Sequence, residues 1–221
     1  MRMRKENLFL SFIAAVFAFT LMMFTACSSC NKEKPADNDE SQSKTEVVEL
    51  ITENVISLNR QDMFAKFGGD YRWYETCIVL KDYLDVEECD GTVDAISNVF
   101  QVVTEKSETS FDVHVFLYTT TKDTATVDEK HGFWVEDEPL NDEAIKVTFA
   151  EAYNKVMEAN IVKPHSRQVV LRKEIGPIDA NPQYIFGNSH AQVYVDATTG
   201  EVSGKNPAFP DNFAKPLGEW P

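Results

Sequence analysis

A run of uncharged residues close to the N-terminus constrains this chain more than any other feature. The run extends from Leu8 to Phe24 and follows a short cationic segment that contains Arg2, Arg4 and Lys5. A cationic start, an apolar stretch and small residues at its end form the layout of an export signal. The stretch also reaches the lower length limit of a membrane-spanning helix, so an uncleaved anchor is the alternative. Either interpretation places the rest of the chain outside the cytoplasm.

The residues that end this run favour cleavage. Phe24-Thr25-Ala26-Cys27 resembles the lipobox of bacterial lipoproteins, in which small residues precede a cysteine that is lipidated and becomes the new N-terminus. The resemblance implies that residues 1–26 are a lipoprotein signal peptide and that Cys27 carries acyl chains such as palmitate. Each buried CH₂ contributes about 0.8 kcal/mol, so two or three chains would anchor the protein in a bilayer. Ser28 is similar to the residue at this position in lipoproteins of the outer membrane. We therefore expect a cell-envelope protein that faces the periplasm or the exterior.

The net charge excludes several classes of partner. The whole chain has a formal charge of -15, and residues 27–221 have -17 because the first 26 residues contain three basic residues and one acidic residue. Nucleic-acid binding depends on basic side chains that displace counterions from phosphates. An anionic membrane surface also repels an acidic protein. We expect no nucleic-acid partner, and lipid rather than surface charge must hold the protein on the membrane.

Composition divides the rest of the chain into four parts. Residues 27–43 contain no large apolar residue, which is typical of a disordered tether. Residues 44–138 and residues 139–205 each begin with a helical pattern and continue with strand patterns. Residues 206–221 contain four prolines and are expected to form an extended tail. The sequence thus predicts an N-terminal α+β unit and a second α+β unit between the tether and the tail.

The first unit begins with a predicted helix. Ser43 and Glu46 have the spacing of a capping box. Apolar residues then recur at intervals of three and four: Val47, Ile51, Val55 and Leu58. Gly68-Gly69 ends the helix. Strand patterns follow at residues 72–80, 95–104, 111–121 and 132–135, and turn signals such as Lys122-Asp123 separate them.

The second unit repeats this order. Thr148 and Glu151 form a capping box. The helix that follows has an apolar stripe of four residues: Phe149, Tyr153, Val156 and Met157. Strands are predicted at residues 168–174, 183–186 and 191–195. The fold class is therefore α+β, with two helix-plus-antiparallel-sheet units whose helices pack on one face of the sheets.

The second unit also resembles a known family. Residues 145–153, IKVTFAEAY, are similar to the helix entry of PepSY domains, and residues 191–202, AQVYVDATTGEV, are similar to their closing strand, Asp-Ala-x-x-Gly turn and short strand. The resemblance implies a PepSY-like unit in which Asp196 caps the turn and Gly200 takes a positive φ. PepSY units in secreted peptidases and other envelope proteins bind and restrain partner proteins. A lipidated cysteine, a tether and such a unit are similar to small envelope lipoproteins of Bacteroides-type bacteria.

Two cysteines remain to be placed beyond the lipidation site and the tether. Cys77 and Cys89 would meet an oxidising envelope, where a disulfide between them can persist. The alternative is two buried free thiols. The sequence leaves both alternatives open, because it does not give the separation of the two Cα atoms.

No residue pattern indicates a catalytic, cofactor or metal site. The four histidines are separated by more than four residues along the chain: His114, His131, His165 and His190. His-Glu-x-x-His, Gly-x-Ser-x-Gly and a phosphate-binding glycine loop are all absent from the sequence. Residues 196–201 have too few acidic residues for a calcium loop. We therefore expect no enzyme, no cofactor and no metal. A hydrolase would need His114 or His131 beside two acidic residues in a cleft.

Two functions remain. The first is a non-catalytic envelope lipoprotein with a PepSY-like protein-binding module, which engages another envelope protein through its PepSY-like face or a sheet edge and restrains a peptidase. The second is a structural envelope-assembly or surface lipoprotein without a discrete ligand, which predicts a smooth surface without an exposed aromatic patch. Phe209 and Trp220 in the tail either cover the core or belong to such an aromatic patch.

Overall fold

A single antiparallel sheet organises the computed structural model of this chain, which describes residues 50–107, 110–159, 161, 163–188 and 191–209. Two α-helices are present in these ranges, α1 (Thr52–Phe67) and α2 (Phe149–Glu158), together with a 3-10 turn at Asp142–Ala144. The sheet contains nine strands: β1 (Tyr71–Leu80), β2 (Val93–Ser107), β3 (Ser110–Thr121), β4 (Ala125–His131), β5 (Asp137–Glu138), β6 (Gln168–Glu174), β7 (Gln183–Asn188), β8 (Ala191–Asp196) and β9 (Val202–Ser203). The predicted α+β class is confirmed.

The strand order is β4-β3-β2-β1-β6-β7-β8-β9, and β5 pairs with the end of β6. Consecutive strands therefore lie side by side on each half of the sheet, and one connection crosses from β4 through α2 to β6. At the centre β1 and β6 are antiparallel, with Cys77 opposite Val170. The sheet is continuous across this junction, and all of its strands lie within one compact unit.

Both helices cover the same face of the sheet. That face presents Phe100 from β2, Phe116 from β3, Leu171 from β6 and Phe186 from β7, all buried in one hydrophobic cluster. α1 contributes four buried residues: Thr52, Val55, Ile56 and Met63. α2 contributes Phe149, Ala152, Tyr153 and Val156. A fully buried side chain of this size stabilises the fold by about 1.5–3 kcal/mol, so this face is the main source of stability.

The first helix differs from its prediction in two ways. It begins at Thr52, after the extended residue Ile51, and its first turn has no side-chain cap. The expected capping residues Ser43 and Glu46 lie outside the described residues. The expected apolar face is also wrong, because Ile51 is 50% exposed and Leu58 is 63% exposed. Apolar spacing does not identify the buried face of this helix, since the helix carries apolar residues on its solvent side as well. Gly68, with φ +63°, ends the helix as expected.

The strand expected at residues 132–135 is not formed. The chain instead pairs as β4 at Ala125–His131 and then leaves the sheet at Gly132. All seven residues of β4 are exposed, so the strand has no buried alternating face that a sequence pattern could reveal. Its pairing with β3 follows from the turn at Lys122-Asp123, where Thr121 N–H donates to Thr124 O at 2.8 Å.

The second helix agrees with its prediction. Thr148 Oγ1 accepts from the backbone N–H of Glu151, and the Glu151 side chain accepts from the N–H of Thr148, which completes the capping box. The expected strands at 168–174, 183–186 and 191–195 correspond to β6, β7 and β8. In the described part of the chain, neither helix has the length and apolar character that crossing a bilayer requires.

Candidate functional site

The outer side of β4 is the longer of the two open edges that the described strands leave. Gly132 N–H donates to Val113 O at 3.0 Å, and Thr121 N–H donates to Thr124 O at the other end. Hydrogen-bonded and non-hydrogen-bonded pairs alternate along antiparallel strands. Four residues of β4 therefore direct their backbone N–H and C=O groups away from β3: Ala125, Val127, Glu129 and His131. The opposite edge, β9, is only two residues long.

Two histidines and two carboxylates occupy one end of β3 and β4. His114 on β3 lies directly opposite His131 on β4 at a non-hydrogen-bonded position, where facing side chains come closest. Their ring centroids are 4.3 Å apart. Asp112 precedes His114 by two residues and Glu129 precedes His131 by two, so all four side chains share the face on which the helices lie. We call these four residues the histidine cluster.

Asp112 lies between the two imidazoles of the histidine cluster. Its Oδ2 is 3.1 Å from Nε2 of His114, and its Oδ1 is 3.7 Å from Nδ1 of His131. On the other side of the His114 ring, Nδ1 is 2.6 Å from Oε1 of Glu129. Lys106 on β2 places its Nζ 2.9 Å from Oδ2 of Asp112. The His114 ring therefore has a carboxylate at each nitrogen.

These neighbours change the proton affinity of the cluster. The hydrogen bond to Asp112, supported by that to Glu129, raises the pKa of His114 above its ordinary value. The Lys106 ammonium and then His114 lower the pKa of Asp112 to about 2. The cluster can therefore hold a proton on His114. Once that proton is removed, it can offer imidazole nitrogens and a carboxylate oxygen to a cation.

The histidine cluster meets one of the two conditions of the hydrolase hypothesis, which are a histidine beside two acidic residues and a cleft. His114 does lie beside two acidic residues, Asp112 and Glu129, at the end of β3 and β4, but it lines none of three cavities elsewhere in the described residues. Three cavities, of about 390, 330 and 210 Å³, are lined by other residues. The 390 Å³ cavity lies between the start of α1 and the start of α2, where Glu53 Oε1 accepts from the backbone N–H of Phe149 at 2.7 Å. The side chain of Glu53 thus joins the two helices.

Sequence reasoning missed the histidine cluster because its members are up to nineteen positions apart. The sequence nevertheless contains a turn signal from which the cluster could have been located. A tight turn at Lys122-Asp123 makes β3 and β4 a hairpin, and counting outward from that turn places His131 opposite His114. Asp112 and Glu129 then fall on the same face by strand alternation.

A second polar cluster lies on the face of the sheet away from the helices. Asp137 is buried, and its Oδ2 accepts from Trp134 Nε1 at 3.2 Å. Its Oδ1 is 3.7 Å from Nε of Arg172, which also pairs with Glu174. Burial, and then the charge of Asp137, raises the pKa of Glu75 to about 7. These groups hold the segment after β4 against β6, so their role is structural.

The predicted site residues fall in three places. Cys27, with the signal peptide and tether, lies outside the described residues, as does Trp220. Cys77 and Cys89 are free thiols with different neighbours. Cys77 Sγ accepts from Gln168 Nε2 at 3.2 Å, whereas Cys89 Sγ lies 3.9 Å from the backbone oxygen of Asp82.

The turn after β8 has the geometry proposed for it. Asp196 Oδ1 accepts from the backbone N–H groups of Thr198 and Thr199, each at 2.8 Å. Gly200 has φ +76°, and its N–H donates to Asp196 O at 2.8 Å. Asp196 Oδ2 accepts from Asn181 Nδ2 at 2.9 Å, so hydrogen bonds within the turn and to Asn181 account for the carboxylate, and the turn accounts for Gly200.

The chain matches no protein-family model, and it has no match among curated proteins or solved structures.

Proposed function

We propose that this chain is a non-catalytic lipoprotein of the cell envelope that binds a partner protein along the outer edge of β4. The exposed seven-residue edge is the observation that carries the proposal. The export signal and lipobox-like Cys27 support the envelope location. In this proposal the acyl chains on Cys27 hold the protein on the outer membrane, and the tether lifts the folded part away from the lipid.

The edge of β4 is suited to strand addition. An unpaired edge offers backbone donors and acceptors to an extended segment of another protein. Proteins usually protect such edges with proline, bulges, very short strands or charged side chains. β4 has no proline, its register with β3 is uninterrupted, and Val127 at its centre is 45% exposed. The charged residues Asp128, Glu129 and Lys130 keep the edge soluble and would select the partner strand.

Exposed aromatic residues favour binding over a purely structural role. Phe111 on β3 is 60% exposed and Phe133 after β4 is 66% exposed. Both lie beyond the hydrogen bond between Gly132 and Val113, at the same end of the hairpin. A surface lipoprotein without a ligand has no need of such residues, whereas aromatic side chains are frequent anchors of protein interfaces.

We further propose that residues 44–138 and 139–205 are two related units and that the second is PepSY-like. Each contains one helix followed by a run of strands that pair in sequence. The strand order is mirrored about the β1–β6 junction, as expected if a two-fold axis related the two halves. The PepSY resemblance suggests that the partner is an envelope peptidase, which the module restrains.

The test uses the full chain in cells, with a photo-crosslinking residue at Ala125. Val127→Pro removes an outward N–H donor and leaves the pairing with β3 intact, because the Val127 N–H does not face β3. We expect the crosslinked adduct to be lost in Val127→Pro and kept in the matched variant Val127→Thr. Peptidase activity in the membrane fraction should be inhibited in cells that form the adduct and should not be inhibited in cells that lose it.

A further variant, expressed in the same cells, tests the lipid anchor. Cys27→Ser should abolish fatty-acid incorporation and release the protein from the membrane fraction. An adduct that persists unchanged in Val127→Pro would refute the edge as the binding element. Normal membrane retention of Cys27→Ser without fatty acid would refute the anchor.

A further inference from the structure

We propose that Asp112, His114 and His131 form a binding site for Zn²⁺, with Glu129 as the residue that orients His114. This inference goes beyond the proposed function, because it assigns a ligand to Asp112, His114 and His131, whose side chains the proposed strand addition at β4 does not use. The three residues supply two imidazole nitrogens and one carboxylate oxygen, a set that suits zinc.

The spacing of the ligand atoms fits a small cation. One ligand atom from each residue lies within 4.8 Å of the others. Two ligands at about 2.0 Å from a tetrahedral zinc ion are about 3.3 Å apart. The separation of 3.1 Å between Asp112 Oδ2 and Nε2 of His114 is close to that value, and the other carboxylate oxygen, Oδ1, lies 3.7 Å from Nδ1 of His131. Rotation of the exposed His131 ring would bring its Nδ1 atom from 3.7 Å to the expected separation from the carboxylate.

The sheet holds the ligands in place before the ion arrives. His114 and His131 are paired directly across β3 and β4, and Asp112 is fixed two residues away on β3. The His114 ring also stacks on Phe116, with the ring centroids 6.3 Å apart and an interplanar angle of 22°. Backbone pairing thus limits the entropy that binding would otherwise cost.

Glu129 selects the nitrogen that binds the ion. A histidine that ligates zinc usually donates its other N–H to a carboxylate, which fixes the ring orientation. Glu129 Oε1 is 2.6 Å from Nδ1 of His114, so Nδ1–H donates to Glu129 and Nε2 is left for the metal. Three protein ligands leave a fourth position for water or for a ligand from another molecule.

Charged groups around the site set its pH dependence. Asp112 and Glu129 attract a cation, whereas Lys106 contacts Asp112 and competes with it. The proton on His114 competes as well, since zinc binds the neutral imidazole. Zinc binding should therefore weaken as the pH falls, as it does at any site that contains histidine.

A second histidine provides an internal control. His165 lies 3.0 Å from both carboxylate oxygens of Asp85, and its ring stacks on Tyr83. This pair has one imidazole and one carboxylate, and no second histidine or further carboxylate joins it within the described residues. It should therefore not hold zinc with measurable strength.

The test measures zinc affinity of the full chain in detergent, without a histidine tag, by competition with a chromophoric chelator at pH 7.5. We expect one saturable site. His131→Ala should abolish it, and Glu129→Gln should weaken it by about 10- to 100-fold. His165→Ala should leave it unchanged, and Lys106→Gln should tighten it because the competing ammonium is removed. Co²⁺ bound in place of zinc should give visible absorption that His131→Ala removes.

Control measurements distinguish loss of the zinc site from loss of the fold. The His131 side chain is 78% exposed, so its replacement should leave the circular dichroism spectrum and thermal midpoint unchanged. Absence of saturable zinc binding to the wild-type chain would overturn the proposal. Equal zinc affinity in the wild-type and His131→Ala chains would overturn it too.

Discussion

At the residue scale, the cluster around Glu75 determines how stability responds to pH. Three carboxyl groups, those of Glu75, Asp137 and Glu174, share the face away from the helices with one guanidinium, that of Arg172. Burial and then the charge of Asp137 raise the pKa of Glu75 to about 7, although the charge of Arg172 opposes them. Burial also raises the pKa of Asp137. The cluster therefore retains protons that the unfolded chain loses.

Glu75→Gln should stabilise the fold at pH 8 and not at pH 4. Between the unfolded pKa of 4.5 and the folded pKa of about 7, the folded chain binds a proton that the unfolded chain has released. The contribution of Glu75 to the free energy of unfolding therefore falls as the pH rises through this window. Glutamine carries no charge to desolvate, so we expect a gain of about 1–3 kcal/mol at pH 8.

Urea unfolding at pH 4, 6 and 8 measures this difference. The exposed substitution Glu87→Gln serves as the control. A Glu75→Gln chain whose stability relative to the wild type does not change with pH would contradict the assignment.

Part of the candidate site could be predicted from its residues. Asp112 and His114 are two positions apart on a clear strand pattern, so their shared face follows from the alternation of a strand. His131 joins them only through the register of a hairpin whose second strand shows no burial pattern. The raised pKa of Glu75 could not be predicted from the sequence, because it depends on burial and on the charge of Asp137, which comes from a distant segment of the chain.

At the element scale, local hydrogen bonding and tertiary packing contributed differently to the two helices. α2 has its start defined by Thr148 and Glu151, and its apolar stripe faces the core. α1 has no side-chain cap at Ile51, and it is positioned by the burial of Val55, Ile56 and Met63. A helix that is held mainly by tertiary contacts gives a weak local signal, which is why its start and its buried face were predicted wrongly.

Thr148→Ala should destabilise the fold by about 1 kcal/mol, within the range of 0.5–2 kcal/mol for loss of a helix N-cap. The substitution removes the oxygen that accepts from the N–H of Glu151 at 3.2 Å. Thr148→Ser keeps this oxygen and should retain most of the stability. Chemical denaturation of the two variants side by side checks the prediction. Equal losses in both would show that the methyl group, and not the cap, matters at this position.

At the scale of the whole molecule, the β1–β6 junction joins the two halves of the sheet. Leu171 on β6 is fully buried, and it lies opposite Thr76 of β1 in the hydrophobic cluster that both helices cover. The backbone pairs from Glu75 to Val79 cross the same junction. Because the core is shared in this way, we expect the two halves to unfold together.

Leu171→Ala should lower the free energy of unfolding by about 2–5 kcal/mol, since it leaves a cavity in the shared core. Leu58→Ala, at a side chain that is 63% exposed, should change it by less than about 0.5 kcal/mol. Calorimetry should show one transition for both variants. Two separate transitions, with only one shifted by Leu171→Ala, would mean that the halves fold independently.

The sequence by itself determined those features that depend on residues close together in the chain. Among them are the α+β class, the capping box of α2, the turn at Lys122-Asp123 and most strand positions, because periodicity and local hydrogen bonds act over a few residues. Tertiary structure decided which face of α1 is buried, that β4 forms an exposed edge, and that His131 meets Asp112 and His114. These outcomes depend on which strands pair and on packing between distant segments, and the burial pattern of a single stretch of the chain does not show them.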